Sequence, residues 1–168
     1  MGFDYNARIT NVVNALKDYN SATSSPDLSA NLTSRIDDDN IFDRDISAGG
    51  TKKYRMPCIY VRIANKQEDF AGLGATGITG GARKEATVIF EIVGLYQKEG
   101  AWSTNDALMD EVYNLGANIE NVLRQELTLS GTALWCQPLR TDFVGPFEGE
   151  GIHVKGVFVE LEAKYHFK

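Results

Sequence analysis

The apolar positions of this chain recur with a helical period in two separate places. Near the start, apolar residues spaced by three and four form one face of a predicted helix. These residues are Tyr5, Ile9, Val12, Val13, Leu16 and Tyr19. Asp4 stands just before them and is expected to cap the helix. A second, longer helix is predicted around Gly116, where a neighbouring backbone is expected to pack closely. Its apolar face comprises Leu108, Val112, Leu115, Ile119, Val122 and Leu123.

Four other segments show the patterns of strands. Residues 56–65, "MPCIYVRIAN", predict a strand with a proline near its start, where a missing donor is tolerated. Residues 85–96, "EATVIFEIVGLY", are apolar on both faces and predict a central strand. Residues 133–141, "ALWCQPLRT", predict a strand interrupted by Pro138. Between Val157 and Phe167 apolar residues alternate with polar ones, which predicts a last strand with one solvated side.

The order of these elements predicts an α+β fold with a mainly antiparallel sheet, flanked by an N-terminal helix and a long central helix. We expect a single domain over residues 1–168. Two extended loops are predicted, residues 20–55 and residues 70–84, because both segments lack periodicity and are rich in turn-forming residues. A short extended piece is expected within 41–46, and a glycine- and acid-rich loop over 142–151.

The charge of the chain argues against general nucleic-acid binding. Its formal net charge is -6 and its sequence pI is about 4.9. Binding DNA phosphates needs clustered Lys and Arg, and only short basic pairs occur, Lys52-Lys53 and Arg83-Lys84. No apolar run approaches the roughly 20 residues that span a bilayer, so we expect no membrane partner.

One glycine-rich stretch contains "GLGATG", which matches the dinucleotide-binding pattern G-x-G-x-x-G at Gly72, Gly74 and Gly77. That pattern binds phosphate only where a helix begins directly after the glycines and offers free amides and its dipole. The sequence downstream is β-branched and predicts a strand instead. We therefore expect no nucleotide site there.

The same glycines predict a long, adaptable hairpin tip that lets a foreign backbone approach closely. Three apolar residues of the tip, Phe70, Leu73 and Ile78, have no evident core to join, and Arg83 and Lys84 form a basic pair at its end. Exposed apolar groups on a loop are typical of contact with a partner. We predict that these five residues bind a partner; a linker without a binding role is the alternative.

Metal sites find little support in the sequence. The acidic run that starts at Asp37 lacks the calcium-loop pattern, because Phe42 and Ala48 occupy the places of the required Gly and Glu. The two histidines, His153 and His166, and the two cysteines are too scattered to predict a zinc site. We expect no metal and no cofactor.

Candidate catalytic groups are equally few. Cys58 and Cys136 lie in apolar, strand-like surroundings and are expected to be buried, reduced thiols of a chain without a signal peptide. Glu148, Glu150 and His153 stand close together and are the one place where acid–base chemistry is conceivable. A charged loop at the start of a strand explains them more simply, so we predict that the protein is not an enzyme.

The layout resembles the tail terminator, or tail completion, proteins of long-tailed bacteriophages. The resemblance covers nearly the whole chain except residues 20–50, which are longer and more polar than in that family. It rests on a short amphipathic first helix followed by five further segments. These are "MPCIYVRI", "ATVIFEIVGLY", "ALMDEVYNLGANIENVLRQEL", "TLSGT" and "VKGVFVELEAKYHFK".

The resemblance implies a structural role in the virion, assembled in the host cytoplasm. Such proteins form a homohexameric ring that caps the finished tail-tube protein and joins it to the head-side connector protein, while DNA passes through the channel without specific binding. The family has no catalytic residues. Two alternatives remain: another neck or tube component, such as a head-closure or tail-tube protein, and a small nucleotide-binding enzyme that uses the glycine motif.

Overall fold

A computed structural model describes residues 2–44, 56–70, 84–99, 105–149 and 152–167 of the chain. Within these ranges it contains two α-helices and five strands. In chain order they are α1 (Tyr5–Asp18), β1 (Ile41–Phe42), β2 (Cys58–Phe70), β3 (Lys84–Glu99), α2 (Asn105–Gln125), β4 (Trp135–Gly149) and β5 (Ile152–Phe167). The strands form one sheet in the order β1-β2-β3-β5-β4. Every pair is antiparallel except β1 with β2, so the predicted α+β fold is confirmed.

Helix α1 begins where the sequence predicts. The side chain of Asp4 accepts a hydrogen bond from the amide of Ala7 at 3.0 Å, which satisfies one of the free N–H groups of the first turn. The apolar face then buries Val12, Val13 and Leu16 against the sheet side of the molecule. The amphipathic pattern therefore positions this helix through one face only.

Helix α2 buries the whole of its predicted apolar face against the sheet. Gly116 lies close to the sheet: a Cβ atom there would stand 3.0 Å from Cγ2 of Val157 and 3.1 Å from Cε1 of Phe143. Close packing at this glycine was expected, but the neighbours are two side chains and not a backbone. A glycine lowers the stability of a helix, but here the missing side chain allows α2 to pack closely against Val157 of β5 and Phe143 of β4.

Strand β3 is the central strand, paired with β2 on one side and β5 on the other. On the helix side it buries Phe90 and Ile92 completely. On the opposite side Val93 is also fully buried, in a second apolar cluster with Cys58 and Tyr60 of β2. Because both faces of this strand are buried, apolar residues occur at successive positions and not only at every second one.

Residues 20–42, within the predicted loop 20–55, are irregular apart from a short 3-10 turn (Asp38–Asn40) and the two-residue strand β1. Leu28 is fully buried and Ile36 is 3% exposed, so the segment contributes to the main core. Asn20 holds the turn together, donating to the carbonyl of Ile36 at 2.7 Å and accepting from the hydroxyl of Ser29 at 2.6 Å. The apolar residues are too widely spaced to show a period, and side-chain hydrogen bonds replace regular structure.

The same segment is fastened to α2 by polar side chains that follow the helical spacing i, i+3 and i+7. All of them bind backbone groups of the segment, which would otherwise be left unpaired. The pairs are Glu111 with the amide of Thr33 at 3.1 Å, Asn114 with the carbonyl of Asn31 at 3.2 Å, and Asn118 with the carbonyl of Ala30 at 2.7 Å. Helix α2 therefore binds residues 30–33 through polar side chains on one face and packs against the sheet through its apolar face.

Strand β4 corrects a second loop prediction. It does not end near Thr141 but runs on to Gly149, paired with β5 throughout. Two register shifts interrupt the ladder, one between Pro138 and Arg140 and one between Val144 and Phe147. The proline and glycine residues that suggested a loop lie at these two bulges. At the second bulge, between Val144 and Phe147, Gly145 adopts a φ of 101°.

Candidate interaction surface

Exposed apolar side chains are concentrated around β4, where Phe143 lies on the helix side of the sheet and Trp135, opposite Lys164, on the other. Seven large apolar side chains of the described residues are exposed, and six of them lie on β4, on α2 or on the turn that joins them. These six are Tyr113, Leu127, Leu134, Trp135, Leu139 and Phe143, with exposed fractions between 37% and 60%. We call them the β4–α2 surface. A cluster of this kind on a soluble protein is typical of an interaction site.

The position of β4 at the edge of the sheet creates this surface. Phe143 lies opposite Val157 of β5 and therefore points to the helix side of the sheet. There it meets Tyr113 of α2 edge to face, with ring centroids 4.8 Å apart. Both rings remain nearly half exposed, because the described residues place no further strand or helix outside β4. The pair is thus fixed in place yet open on one side.

Charged groups surround the apolar side chains in internal pairs. Arg140 contacts Asp142 at 2.7 Å and Arg124 contacts Glu120 at 2.7 Å, while the hydroxyl of Thr141 also donates to Glu120. Both arginine side chains are about two-thirds exposed. An apolar centre with a polar, charged rim is the usual composition of a protein–protein interface.

The opposite edge of the sheet is built differently. Strand β1 pairs only with Ile59 and Tyr60 of β2, and within the described residues no strand pairs with the outer edge of 61–70. Apart from Ala64, the exposed residues there are polar: Asn65, Gln67, Glu68 and Asp69. Among the described residues, the stretch 65–70 therefore has no strand partner on its outer side, and its exposed side chains are hydrophilic.

Beside this polar edge, on the helix side of the sheet, the N-terminal segment forms a compact aromatic cluster. The ring of Phe3 packs edge to face against Tyr5, Tyr165 and Phe167, at centroid distances of 5.2 to 5.8 Å. The ammonium group of Lys66 lies 4.7 Å from the ring centre of Phe3 and 5.1 Å from that of Tyr5. Tyr5 is the seventh exposed apolar side chain.

Glu68 connects this cluster to the glycine-rich segment. Its carboxylate binds Lys66 and lies 3.9 Å from the ammonium group of Lys84. The hydrogen bond that Lys66 donates to Glu68 raises the pKa of Lys66 and lowers the pKa of Glu68. Lys84 also approaches the ring of Phe167 at 5.9 Å. Electrostatic contacts of Glu68 with Lys66 and Lys84 therefore link the end of β2 to the start of β3.

The predicted interaction residues fall partly outside the described residues. Phe70 is the last residue of β2 and Lys84 the first of β3, and the two face each other across the ladder, so both are strand residues and the predicted loop 70–84 is shorter at each end. Leu73, Ile78 and Arg83, like the glycine motif, lie outside the described residues. The segment joins two antiparallel strands, and partner binding by its residues stays a prediction.

The candidate catalytic residues are brought together only in part. Glu148 and His153 face each other across the ladder of β4 and β5, and Glu150 lies outside the described residues. His153 is 8% exposed. Cys58 and Cys136 are buried and free, as predicted, and burial raises their pKa values to about 12 and about 11. Both side chains are therefore neutral thiols at physiological pH and unsuited to nucleophilic attack.

Metal binding finds no support in the part of the chain that the structure describes, where no cluster of three or more His, Cys, Asp or Glu residues is arranged to hold an ion. The acidic residues Asp38 and Asp39 belong to a short 3-10 turn, and Asp38 accepts a hydrogen bond from Asn20 at 2.8 Å. Neither of the two described helices is long and apolar enough to cross a membrane.

The sequence analysis missed the β4–α2 surface. One signal was present: residues 141–144 continue the strand alternation with a β-prone Phe143 between Asp142 and Val144. The following glycine and proline suggested a loop and hid this signal.

No protein-family model matches this chain, and no curated protein matches it significantly.

Proposed function

We propose that this protein is a non-enzymatic assembly subunit whose copies join into a ring, and that the ring is the tail terminator of a long-tailed bacteriophage. In this role the ring caps the tail tube, stops the addition of further tube subunits and offers a surface to the head-side connector. The proposal joins two kinds of support, the family resemblance of the layout and the chemistry of the molecular surface.

The concentration of exposed apolar side chains on the β4–α2 surface carries the proposal. Burying such side chains against a partner yields roughly 25 cal/mol for each Å² of apolar area removed from water. A monomer gains nothing from six large apolar residues held at one sheet edge. A subunit that is covered there by a neighbour does gain, and the gain drives assembly.

The two edges of the sheet differ, as the contacts of a ring require. The β4 edge exposes apolar side chains and the β2 edge polar ones, so a contact that uses both edges joins unlike surfaces. Contacts between unlike surfaces are heterologous, and heterologous contacts close into rings when the rotation between neighbours fits. The acidic balance of the chain suits a channel that DNA passes without being held.

The first test is the mass of the purified protein in solution, measured by light scattering, alone and after mixing with tail tubes. We expect a hexamer alone or a hexamer bound to tube ends. Electron microscopy of particles made without this protein should show overlong, headless tails. Normal tail length without the protein points to a different neck component and contradicts the terminator role.

The rival of another class is an enzyme that binds a nucleotide at Gly72, Gly74 and Gly77. Thermal denaturation with and without NAD or ATP is a direct discriminator, since a ligand that binds only the folded state raises the melting temperature. We expect no shift. A monomer that responds to a nucleotide and ignores tail tubes contradicts the proposal.

A further inference from the structure

We infer that neighbouring subunits join through their sheets: residues 65–70 of β2 in one copy pair antiparallel with residues 140–144 of β4 in the next. The inference rests on the proposed ring and names the joint that closes it. The partner is thus a second copy of this chain, and the two binding sites are opposite edges of one sheet.

Strand direction supports the joint. Strand β2 is antiparallel to β3, β3 to β5 and β5 to β4, so β2 and β4 run in opposite directions within one molecule. A copy placed beside β4 in the same orientation therefore presents its β2 in antiparallel direction. Antiparallel pairing is slightly more stable per residue than parallel pairing, and it continues the pattern of the sheet without a break.

The regular stretches of the two edges have similar lengths, six residues in β2 and five in β4. In β2 the ladder shifts between Ile63 and Asn65 and is regular from there to Phe70. In β4 the ladder is regular between its two shifts, from Arg140 to Val144. Bulges and prolines protect an edge against foreign strands, so the regular stretch between them is where a partner strand can add.

The two stretches are also compatible in side-chain direction. Asp69 and Gln67 lie opposite Glu85 and Thr87 of β3, on the sheet face away from the helices. Arg140 and Asp142 lie opposite Glu160 and Phe158 of β5, on that same face. A register that aligns Asp69 with Arg140 and Gln67 with Asp142 keeps both helix faces on one side of the joint.

This register pairs groups that attract. Asp69 is exposed and stands across from Arg140, whose side chain is 65% exposed. Opposite charges directly across a strand pair stabilise it, whereas like charges destabilise it. Gln67 meets Asp142 and can donate to its carboxylate once Arg140 turns toward the new partner.

On the helix side the register covers the exposed rings. Lys66 comes opposite Phe143, which brings the aromatic cluster of one copy against the Tyr113–Phe143 pair of the next. Tyr5 belongs to that cluster and contacts Lys66. On the helix side the exposed Tyr5 lies on one side of this joint and Phe143 with Tyr113 on the other, so the contact would cover these three exposed rings.

A pair of cysteine substitutions tests the joint directly. Gln67→Cys and Asp142→Cys place thiols opposite each other in the proposed register, at a Cβ separation of roughly 4.5–5.5 Å that a disulfide can bridge with small adjustment. The native Cys58 and Cys136 are buried and do not compete. After mild oxidation with diamide, we expect the double variant to give a ladder of crosslinked species up to the closed ring on denaturing gels.

The controls distinguish a contact between β2 and β4 of two copies from a contact in which the same strand pairs with itself. Each single variant should give no crosslink, and an equimolar mixture of the two should give dimers but no longer species. A crosslinked dimer from Asp142→Cys alone means that β4 pairs with itself, and overturns the joint. A hexamer by mass without any crosslink overturns the joint and leaves the ring intact. A monomer that neither crosslinks nor binds tubes overturns both.

Charge reversal gives an independent measurement on variants whose fold is checked by circular dichroism. Asp69→Lys and Arg140→Glu should each raise the protein concentration needed for half-assembly by about tenfold, because each places like charges opposite one another. The combined variant should return to within about threefold of the original value. Additive losses in the combined variant mean that the two residues do not meet, and contradict the register.

Discussion

The two edges of the sheet differ in what they leave open to the solvent. The β4 edge displays side chains, led by Tyr113 and Phe143, and interrupts its backbone with bulges at Pro138 and Gly145. The β2 edge displays a regular backbone over 65–70 with polar side chains, and its apolar groups are gathered into the aromatic cluster around Phe3. Each edge supplies what the other lacks, which favours contact between unlike edges of two copies.

The largest expected effect on assembly comes from replacing an exposed apolar side chain of the β4 edge with a charged one. Phe143→Asp puts a charge into the centre of the β4–α2 surface, and assembly should weaken by at least about 100-fold, since burying an unpaired carboxylate costs several kcal/mol. Sedimentation of the variant measures the loss. The fold should persist because Phe143 is 43% exposed. Thr10→Asp on the exposed side of α1 is the control, and an equal loss there would contradict a localised surface.

The β2 side is tested by removing the ring that organises the aromatic cluster. Phe3→Ala should lower the free energy of unfolding by about 2 kcal/mol, because three edge-to-face contacts and two cation–π contacts disappear with a partly buried ring. Urea unfolding gives this value. Phe3→Leu keeps most of the apolar volume and should cost about half as much. A neutral Phe3→Ala would show that the cluster does not stabilise this edge.

Helix α2 lies beneath the β4–α2 surface, and its other side is bound to residues 30–33. Asn118→Ala leaves the buried carbonyl of Ala30 without its partner, so the free energy of unfolding should fall by about 1–2 kcal/mol. Assembly should change little, since this contact lies within one subunit. Asn121→Ala, on the exposed side of the same helix, is the matched control and should be nearly neutral.

The smallest effect is expected at an ion pair that belongs to neither of the two edge stretches, 65–70 and 140–144. The guanidinium of Arg35 contacts the carboxylate of Asp27 at 2.8 Å and lowers the pKa of that carboxyl below its ordinary value. A lowered folded-state pKa adds stability that is present above the unfolded pKa of about 3.9 and is lost as the pH falls through the folded pKa. Arg35 is 44% exposed, so solvent screening limits the gain to less than about 1 kcal/mol.

Thermal unfolding at several pH values measures this contribution. Asp27→Asn should lower the melting temperature slightly at pH 7, and the difference should shrink as the pH falls through the lowered folded-state pKa and the original carboxyl becomes protonated. Ring assembly should be unaffected at neutral pH. A defect in assembly at this site would mean that the interaction surface extends well beyond the two edges.

The elements with a clear period were predictable, and those held by side-chain hydrogen bonds were not. Both helices and the central strand β3 follow from spacing alone, because an apolar face can be buried only when its residues share one side. The packing of residues 20–42 into the core was not predicted, since Leu28 and Ile36 are isolated apolar residues whose burial depends on Asn20 and Ser29. The end of β4 was hidden by a glycine and a proline that the bulge accommodates.

The sequence by itself determined the fold class, the helix faces and the reduced, buried state of both cysteines, because local spacing and composition set these properties. Only the tertiary structure decided which strand lies at the edge and which rings stay exposed. Phe143 is as apolar as the buried Phe90, and the difference between them comes from their neighbours: β3 is covered on both sides, whereas the described part of the chain leaves β4 open. Strand order is a long-range property, and no local pattern contains it.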